Sequence, residues 1–459
     1  MIKLKDLEGI VESQRRFFQT GKTKNIDFRL EQLRKLRDVL KKSEQRIYEA
    51  LRQDLGKSPM ESYTGELGVL IVELRHALEN LHFWVQPRRV STPLVIFPSR
   101  SVIYRQPRGI ALIIGPWNYP IQLLISPLLG AISAGNCAIL KPSELTPESS
   151  RLVAQLIEET FPPEFVTVVE GGREEAETLL NQKFDYIFFT GSLKVGQIVA
   201  QAAAKHLTPI TLELGGKSPC IVADDAPIDT TARRIVWGKY FNAGQTCVAP
   251  DYLLVQKKVK NELLKSMIQS LQESFGSDPM DSPDFARIIN DSHFSRLEKL
   301  LKNGNIVTGG KTDRDKRYIA PTILDDVSLD DEIMSEEIFG PILPVLEYES
   351  IDEVVEIVRQ RPYPLSFYLF TRDKKVQERL IKDIPFGGGC INNTLVHFAN
   401  PELPFGGIGA SGVGNYHGEY SFQAFSHTKS VVRTPFWIDI KLRYRPYLNK
   451  LSLIKRIMK

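Results

Sequence analysis

The sequence predicts an α/β protein made of two lobes, each a doubly wound parallel sheet. From Ile110 to Phe370, apolar runs of four or five residues alternate with segments of helical period. The runs are nearly continuous rather than alternating, as in strands buried on both faces. At 459 residues, 42% hydrophobic and 25% charged, the chain is long enough for two or three well-filled cores.

Taken in order, residues 5–85 carry helix-period patterns such as Leu33, Leu36, Val39 and Leu40, then Leu51, Leu55, Leu67, Leu70, Val72 and Leu74. This opening is predicted all-helical, and nothing in it reads as catalytic. From Ile110 to Leu140 there is no charged residue. Pro116, Pro120, Pro127, Asn118, Gln122 and Asn136 interrupt that stretch, and a lipid-facing helix could not satisfy the backbone groups they free. It parses instead as a buried strand (Ile110 to Ile114), a turn, a buried helix and a second strand from Cys137 to Leu140.

Thr146-Pro147 then reads as the start of a helix through Leu152, Leu156 and Ile157. Val166 to Val169 follows as a strand, Glu174 to Leu180 as a helix, Tyr186 to Phe189 as a strand, Gly191 to Ala204 as a helix and Ile210 to Leu214 as a strand. The rhythm restarts after Gly215-Gly216, the expected lobe boundary. Cys220 to Val222, a helix ending near Asn242, a strand at Leu253, a helix from Val259 to Phe275, a strand from Ile342 to Leu346, a helix from Val354 to Arg359 and a strand from Phe367 to Phe370 form the second series.

Cys247 lies at the centre of Phe241-Asn242-Ala243-Gly244-Gln245-Thr246-Cys247-Val248-Ala249-Pro250, between the amphipathic run from Ile235 to Phe241 and the apolar run from Tyr252 to Val255. A thiol among small and polar neighbours at such a junction suits nucleophilic attack on a carbonyl, given a lowered pKa or a neighbouring base. No histidine lies within forty residues of it. Cys137, Cys220 and Cys390 read as small buried hydrophobes.

Phe189-Thr190-Gly191-Ser192, with Gly196 beyond, ends a strand and opens a helix. Free amides there suit a phosphate, and a simple tight turn is the rival reading. Lys141-Pro142-Ser143-Glu144 stands at a strand end, where an α/β sheet binds nucleotides and an acid or lysine can hold ribose hydroxyls; a solvated turn fits it equally. Glu213 ends an apolar strand before two glycines, which makes it either a base with a raised pKa or a carboxylate tied to glycine amides. Glu336-Glu337-Ile338-Phe339-Gly340-Pro341 is a second acid pair leading into a strand. Gly407-Ile408-Gly409-Ala410-Ser411-Gly412 matches a dinucleotide fingerprint in form only, since Pro401 and Pro404 precede it, and it reads as a loop.

Six of these segments stand in the order that marks the aldehyde dehydrogenase superfamily: Pro116-Trp117-Asn118-Tyr119-Pro120, Lys141-Pro142-Ser143-Glu144, Phe189-Thr190-Gly191-Ser192, Glu213 to Pro219, Gly244-Gln245-Thr246-Cys247 and Glu337 to Pro341. Pro404-Phe405-Gly406-Gly407 and Tyr416-His417-Gly418 resemble its class 3, fatty-aldehyde branch, over nearly the whole chain.

The resemblance implies oxidation of an aliphatic, medium- to long-chain or aromatic aldehyde to the acid, with NAD or NADP as cofactor. It implies Cys247 as nucleophile, Asn118 as oxyanion donor and Glu213 as activator of the hydrolytic water. It also implies Glu337 at the nicotinamide ribose with a share in the base role, Phe339 beside the nicotinamide, Lys141 and Glu144 at the adenosine ribose, and Ser192 with Gly191 and Gly196 at the pyrophosphate. A Rossmann-like NAD(P) domain is expected over 1–87 and 105–212, a catalytic domain over 213–405, bridging and oligomerisation segments over 88–104 and 406–435, and a homodimer. An acylating or reductive relative is the rival, against which a hydrolytic base at Glu213 weighs. An idle scaffold is the other rival.

Four cysteines without paired spacing suit a reducing compartment and no zinc site. The polar start, Met1-Ile2-Lys3-Leu4-Lys5-Asp6, is no signal peptide, so a cytoplasmic protein is expected. Of the net charge of +4, residues 436–459 carry +6, seven bases against Asp439, which leaves the body at −2 and without a footprint for nucleic acid. In that tail Leu448, Leu451, Ile454 and Met458 fall at helical spacing, so a basic amphipathic helix is expected. It could lie peripherally on an anionic membrane surface, or pack on the body with its bases solvated.

Overall fold

A computed structural model describes residues 7–458. The polar start, Met1 to Asp6, lies outside the described residues, as does Lys459 of the tail. The chain opens with helices α1 (Leu7–Gln19), α2 (Ile26–Lys42), α3 (Glu44–Leu55), α4 (Pro59–Ser62) and α5 (Gly68–Trp84), as expected. A π-helical turn, Tyr63–Leu67, separates the last two. Strands β1 (Arg88–Val90) and β2 (Arg100–Pro107) then leave the body.

The first sheet holds β3 (Ile110–Ile114), β4 (Cys137–Lys141), β5 (Val166–Val168), β6 (Tyr186–Thr190) and β7 (Ile210–Glu213), all parallel, in the order β7-β6-β3-β4-β5. Its connecting helices are α6 (Gln122–Ala134), α7 (Pro147–Thr160), α8 (Arg173–Leu180) and α9 (Leu193–Ala204). Every residue of α6 is buried, with Pro127 inside it, so the uncharged stretch is core and not a span. Thr146 holds the N-cap position of α7 without a capping bond, and its hydroxyl is buried without a partner. Because the strand order runs outward in both directions from β3, the two faces of the sheet are each covered by helices.

β7 stops at Glu213, and β8 (Pro219–Val222) starts a second sheet. There follow α10 (Ile228–Tyr240), β9 (Tyr252–Gln256), α11 (Lys260–Phe275), α12 (Asp291–Leu300), β10 (Asn305–Thr308), a two-residue hairpin of β11 (Thr312–Asp313) and β12 (Tyr318–Ile319), β13 (Thr322–Asp325) and α13 (Glu332–Ser335). β14 (Ile342–Tyr348), α14 (Ile351–Arg359), β15 (Ser366–Phe370), α15 (Lys374–Asp383) and β16 (Gly388–Ile391) complete the series. The order is β10-β13-β14-β9-β8-β15-β16, parallel except at β10. Strands β10, β13 and β16 are short, with glycine or polar residues among the apolar ones, and the sequence pattern passed over them.

β17 (Gly412–Val413) returns to the first sheet and pairs antiparallel with β7, Gly412 opposite Glu213. The formal fingerprint from Gly407 to Gly412 is therefore a loop ending in an edge bridge. After α16 (Gly418–Ala424), β18 (Ser426–Arg433) joins β1 and β2 in a three-stranded antiparallel sheet. In the tail a 3₁₀ turn at Lys441–Arg443 is followed by α17 (Leu451–Ile457), shorter than the spacing suggested, and Leu448 precedes α17 in a turn. Among the described residues, no helix is long and apolar enough to cross a membrane.

Candidate active site

A cavity of about 900 Å³ opens between the C-terminal ends of first-sheet strands and the loops that lead into strands of the second sheet. It gathers Cys247, Asn118, Glu213, Glu337, Phe339, Gly191 and Ser192. Three site residues expected from sequence do not line it. Lys141 ends β4 buried, its ammonium bonded to the carbonyls of Pro142 (2.8 Å) and Gly171 (2.6 Å), and burial lowers its pKa. Glu144 is exposed just beyond. Gly196 is buried in α9, where an added Cβ would fall 2.7 Å from Leu214; its role is close packing of helix on strand.

Cys247 is presented by a strained turn. Asn242, Ala243 and Gly244 have φ of 53°, 51° and 72°, three successive left-handed residues. Gly244 is obligatory, because a Cβ would lie 2.3 Å from the carbonyl of Gly340. The turn is held from several sides. The N–H of Asn242 donates to the Glu61 carboxylate (3.2 Å), and its side-chain amide donates to the carbonyls of Asn118 (3.0 Å) and Gln245 (3.2 Å). Gln245 in turn ties Arg287 and Ile289 to the loop. The Cys247 thiol is half-buried; burial and the carboxylates of Glu337 and Glu213 push it up, so it rests protonated.

Asn118 follows β3 in the turn before α6. Its side-chain amide donates to the Gln245 carbonyl (3.0 Å), while the neighbouring Tyr119 hydroxyl meets Thr246 Oγ1 (2.7 Å). The nucleophile loop and the Asn118 turn are thus stitched together just ahead of Cys247.

Glu213, 3% exposed, has no partner for either carboxylate oxygen among the described residues. Burial raises it well above the usual carboxylate range. Glu337 is pushed up to about 8 by burial and by Asp251, against the N–H of Gly216, Lys217 and Arg296. A Cβ at Gly215 would fall 1.8 Å from Glu337 Oε2, so the glycine is what lets that carboxylate reach the end of β7. The Glu337 loop hangs on a buried ion pair: Lys217 Nζ bonds Asp251 (2.6 Å) and the carbonyls of Ile333 (2.7 Å) and Glu336 (3.1 Å), while Asp251 accepts the N–H of Ile338 (3.0 Å). Phe339 has φ 50°, an outlier for a bulky residue, and packs edge-on to Trp117 at 5.3 Å.

The chain belongs to the aldehyde dehydrogenase family. The family's model matches residues 2–431. The chain is 51% identical over 445 residues to the 4,4'-diaponeurosporen-aldehyde dehydrogenase of Staphylococcus aureus, covering 96% of this chain and 97% of the relative. It is 46% identical to aldehyde dehydrogenase family 3 member H1 of Arabidopsis thaliana, covering 99% and 95%. The structure of the Staphylococcus aureus AldH in a substrate-bound state superposes with a TM-score of 0.97 at 49% identity, covering 99% of both chains. An NAD-dependent aldehyde dehydrogenase from Sinorhizobium meliloti gives 0.86 at 28%, covering 95% and 89%. The protein is an NAD(P)-dependent aldehyde dehydrogenase of the two-sheet fold.

In this aldehyde dehydrogenase the residues at the other end of the cavity suit a dinucleotide. Thr190 Oγ1 is buried without a partner among the described residues, Gly191 to Lys194 at the start of α9 line the cavity, an added Cβ at Gly191 would fall 2.6 Å from the Phe189 ring, and the Ser192 hydroxyl accepts Val195 N–H (3.4 Å). Sequence reasoning missed Lys57, Glu61 and Glu66 in the helical opening, and Lys217, Asp251 and Arg296 behind Glu337. Glu66 carried one signal, as the lone charge between Ser62 and Val72. Cys390 is half-buried rather than core, its Sγ 3.5 Å from His397 Nδ1.

Proposed function

We propose that the cavity oxidises apolar aldehydes to carboxylic acids through a Cys247 thioester that water hydrolyses. The observation that carries this reading is Glu213, a buried carboxylate with both oxygens unpartnered in the cavity that holds Cys247 and Asn118. Such a carboxylate, with both oxygens free of partners among the described residues, is placed to accept a proton. Cys247 Sγ attacks the aldehyde carbon as its proton passes to a cavity carboxylate, giving a thiohemiacetal. The second N–H of the Asn118 amide, with the Cys247 backbone N–H, donates to the oxyanion. A bound NAD(P) supplies the hydride acceptor for the step that leaves the thioester. Glu213 then takes a proton from water as it attacks the thioester, and the Cys247 thiolate leaves. Glu337, titrating near 8, shares the proton traffic.

For the cofactor, Gly191 and Ser192 take the pyrophosphate, Lys141 and Glu144 the adenosine ribose, and Phe339 the nicotinamide face, with Glu337 beside its ribose. A negative charge at Glu144 disfavours a 2′-phosphate, so NAD is preferred. The first sheet is the cofactor domain and the second the catalytic one. Tyr119, Leu123, Phe241, Leu395 and Phe398 give the cavity an apolar wall, which supports a medium- to long-chain aliphatic or aromatic aldehyde. The Staphylococcus aureus relative, named for 4,4'-diaponeurosporen-aldehyde, supports an aldehyde substrate.

β16, a half-buried edge strand, and the exposed edge strand β18 leave two unpaired ladders that a second copy would cover, favouring a homodimer. The tail exposes Trp437, Leu448, Leu451 and Met458 beside Lys450, Lys455 and Arg456, which favours a cytoplasmic enzyme that touches anionic membrane through it. Pelleting with phosphatidylserine vesicles, lost on truncation after Arg433, tests the tail. Size by light scattering tests the dimer.

The deciding experiment follows reduced-cofactor absorbance with NAD and with NADP on a medium-chain aldehyde, for wild type and Cys247→Ala. Reduction that vanishes in the variant, with free acid as product, supports the reading. Turnover only with added coenzyme A overturns hydrolysis, and none under any condition overturns the substrate class.

A further inference from the structure

We infer that the buried ion pair of Lys57 and Glu66 is a positioning device that aligns Asn118 with Cys247. Both side chains are completely buried, and Lys57 Nζ stands 2.7 Å from Glu66 Oε1. The same ammonium donates to the backbone carbonyl of Asn118 at 2.8 Å and lies 4.0 Å over the Tyr119 ring. Glu66 Oε2 accepts the backbone N–H groups of Ile121 (2.9 Å) and Gln122 (3.1 Å), the free donors at the start of α6. Lys57 and Glu66 thus grip the turn from Asn118 to Gln122 at both ends.

That turn makes the two bonds to the nucleophile loop, Asn118 to Gln245 and Tyr119 to Thr246. The Asn118 carbonyl that Lys57 holds also accepts the Asn242 amide of the strained turn. Local structure brings the pair together. Gly56, left-handed at φ 68°, ends α3 and turns Lys57 inward, and the π-helical turn from Tyr63 to Leu67 carries Glu66 and the cavity residue Gly65. Such π-turns recur at functional sites. An isolated ion pair taken out of water has no net stability to offer over apolar packing. Here each charge also satisfies backbone groups of the catalytic turn, which apolar packing cannot do. The pair touches no reacting atom and acts through Asn118.

The inference rests on Asn118 as the oxyanion donor, and a double-mutant cycle separates the two claims. Steady-state turnover with saturating NAD and aldehyde is measured for wild type, Lys57→Met, Asn118→Ala and the double variant. Lys57→Met is expected to lower kcat about 10- to 100-fold, as an ångström of misplacement does, and to leave the KM for NAD unchanged. In the Asn118→Ala background the same change is expected to cost almost nothing. Independent effects would multiply to within about twofold, and that result, or an unaltered kcat for Lys57→Met, overturns the inference. A harmless Asn118→Ala overturns the oxyanion reading on which it stands. If Lys57→Met does not fold, Glu66→Gln, which keeps the shape and removes the charge, takes its place in the cycle and is judged by the same outcomes.

Discussion

Around Cys247 the polar groups are densely bonded: Asn118, Asn242, Gln245 and Thr246 bond one another across the turn, Lys57, Glu61 and Glu66 hold them from outside, and of their buried side-chain atoms Asn242 Oδ1 is left without a partner among the described residues. At Glu213 the arrangement is the reverse, a carboxylate in the same cavity with neither oxygen engaged. Buried polar atoms ordinarily find partners, and leaving one open costs stability. The contrast separates two tasks. A group that must hold geometry is tied by several bonds, as Asn242 is through its backbone and side-chain N–H groups, while a group that must take a proton from substrate or water keeps its lone pairs free. Glu337 stands between these cases, held by the Gly216 N–H yet lifted to about 8.

The largest effect belongs to the reacting sulfur. Cys247→Ala is expected to reduce aldehyde-dependent cofactor reduction to background, and turnover above background would mean that the densely bonded network serves another nucleophile. Glu213→Gln should come next, lowering steady-state turnover by about 10²- to 10⁴-fold, the usual worth of a positioned base. Rapid mixing should still show a burst of reduced cofactor, because acylation precedes hydrolysis. A variant that loses the burst as well would assign Glu213 to the first proton transfer. Asn118→Ala should cost about 10²- to 10³-fold in kcat.

A subtler division concerns pH. A base must be ionised, so with Glu337 near 8 the rate should rise from pH 6 to 9, and Glu337→Gln should remove the inflection near 8 in a pH–kcat profile. The same shift bears on stability. The folded protein favours protonated Glu337, so that contribution is present below about pH 4.5 and is lost as pH rises through about 8. Glu337→Gln should therefore raise Tm at pH 9 more than at pH 5 by thermal scanning, and an equal shift at both would place the carboxylate in better solvation than the geometry gives it. The smallest effect is at exposed Glu144: Glu144→Gln should move the NADP-to-NAD ratio of kcat/KM a few-fold toward NADP. An unchanged ratio would remove Glu144 from the ribose site.

How much of this was legible follows from range. Strand-helix alternation, the uncharged stretch as core and the junction that carries Cys247 are local properties of residue type and period, and they emerge in the structure within a few residues, the helix expected from Val354 starting at Ile351. Cys247, Asn118, Glu213, Glu337 and Phe339 meet in one cavity because Asn118 and Glu213 sit at or just beyond the C-terminal ends of first-sheet strands, while Cys247, Glu337 and Phe339 sit in the loops that lead into β9 and β14. The tail shows the limit of periodicity: Leu448 keeps the spacing of Leu451 and Met458, yet the helix begins only at Leu451.

The sequence by itself determined which residues can do chemistry, since thiol, amide and carboxylate reactivity are intrinsic, and which segments must be buried, since apolar area has nowhere else to go. It could not decide what surrounds those groups. Lys57 follows a glycine and precedes Ser58-Pro59, the composition of a solvated turn, and nothing in one dimension shows that its ammonium ends on Asn118, sixty-one residues away. Whether Glu213 was bonded to glycine amides or left free was likewise open, because the two differ only in where the Gly215-Gly216 backbone points. The tertiary structure decided both. Desolvation, bonding and strain depend on distances between distant parts of the chain, and these are what turn a cysteine, an asparagine and a glutamate into one site.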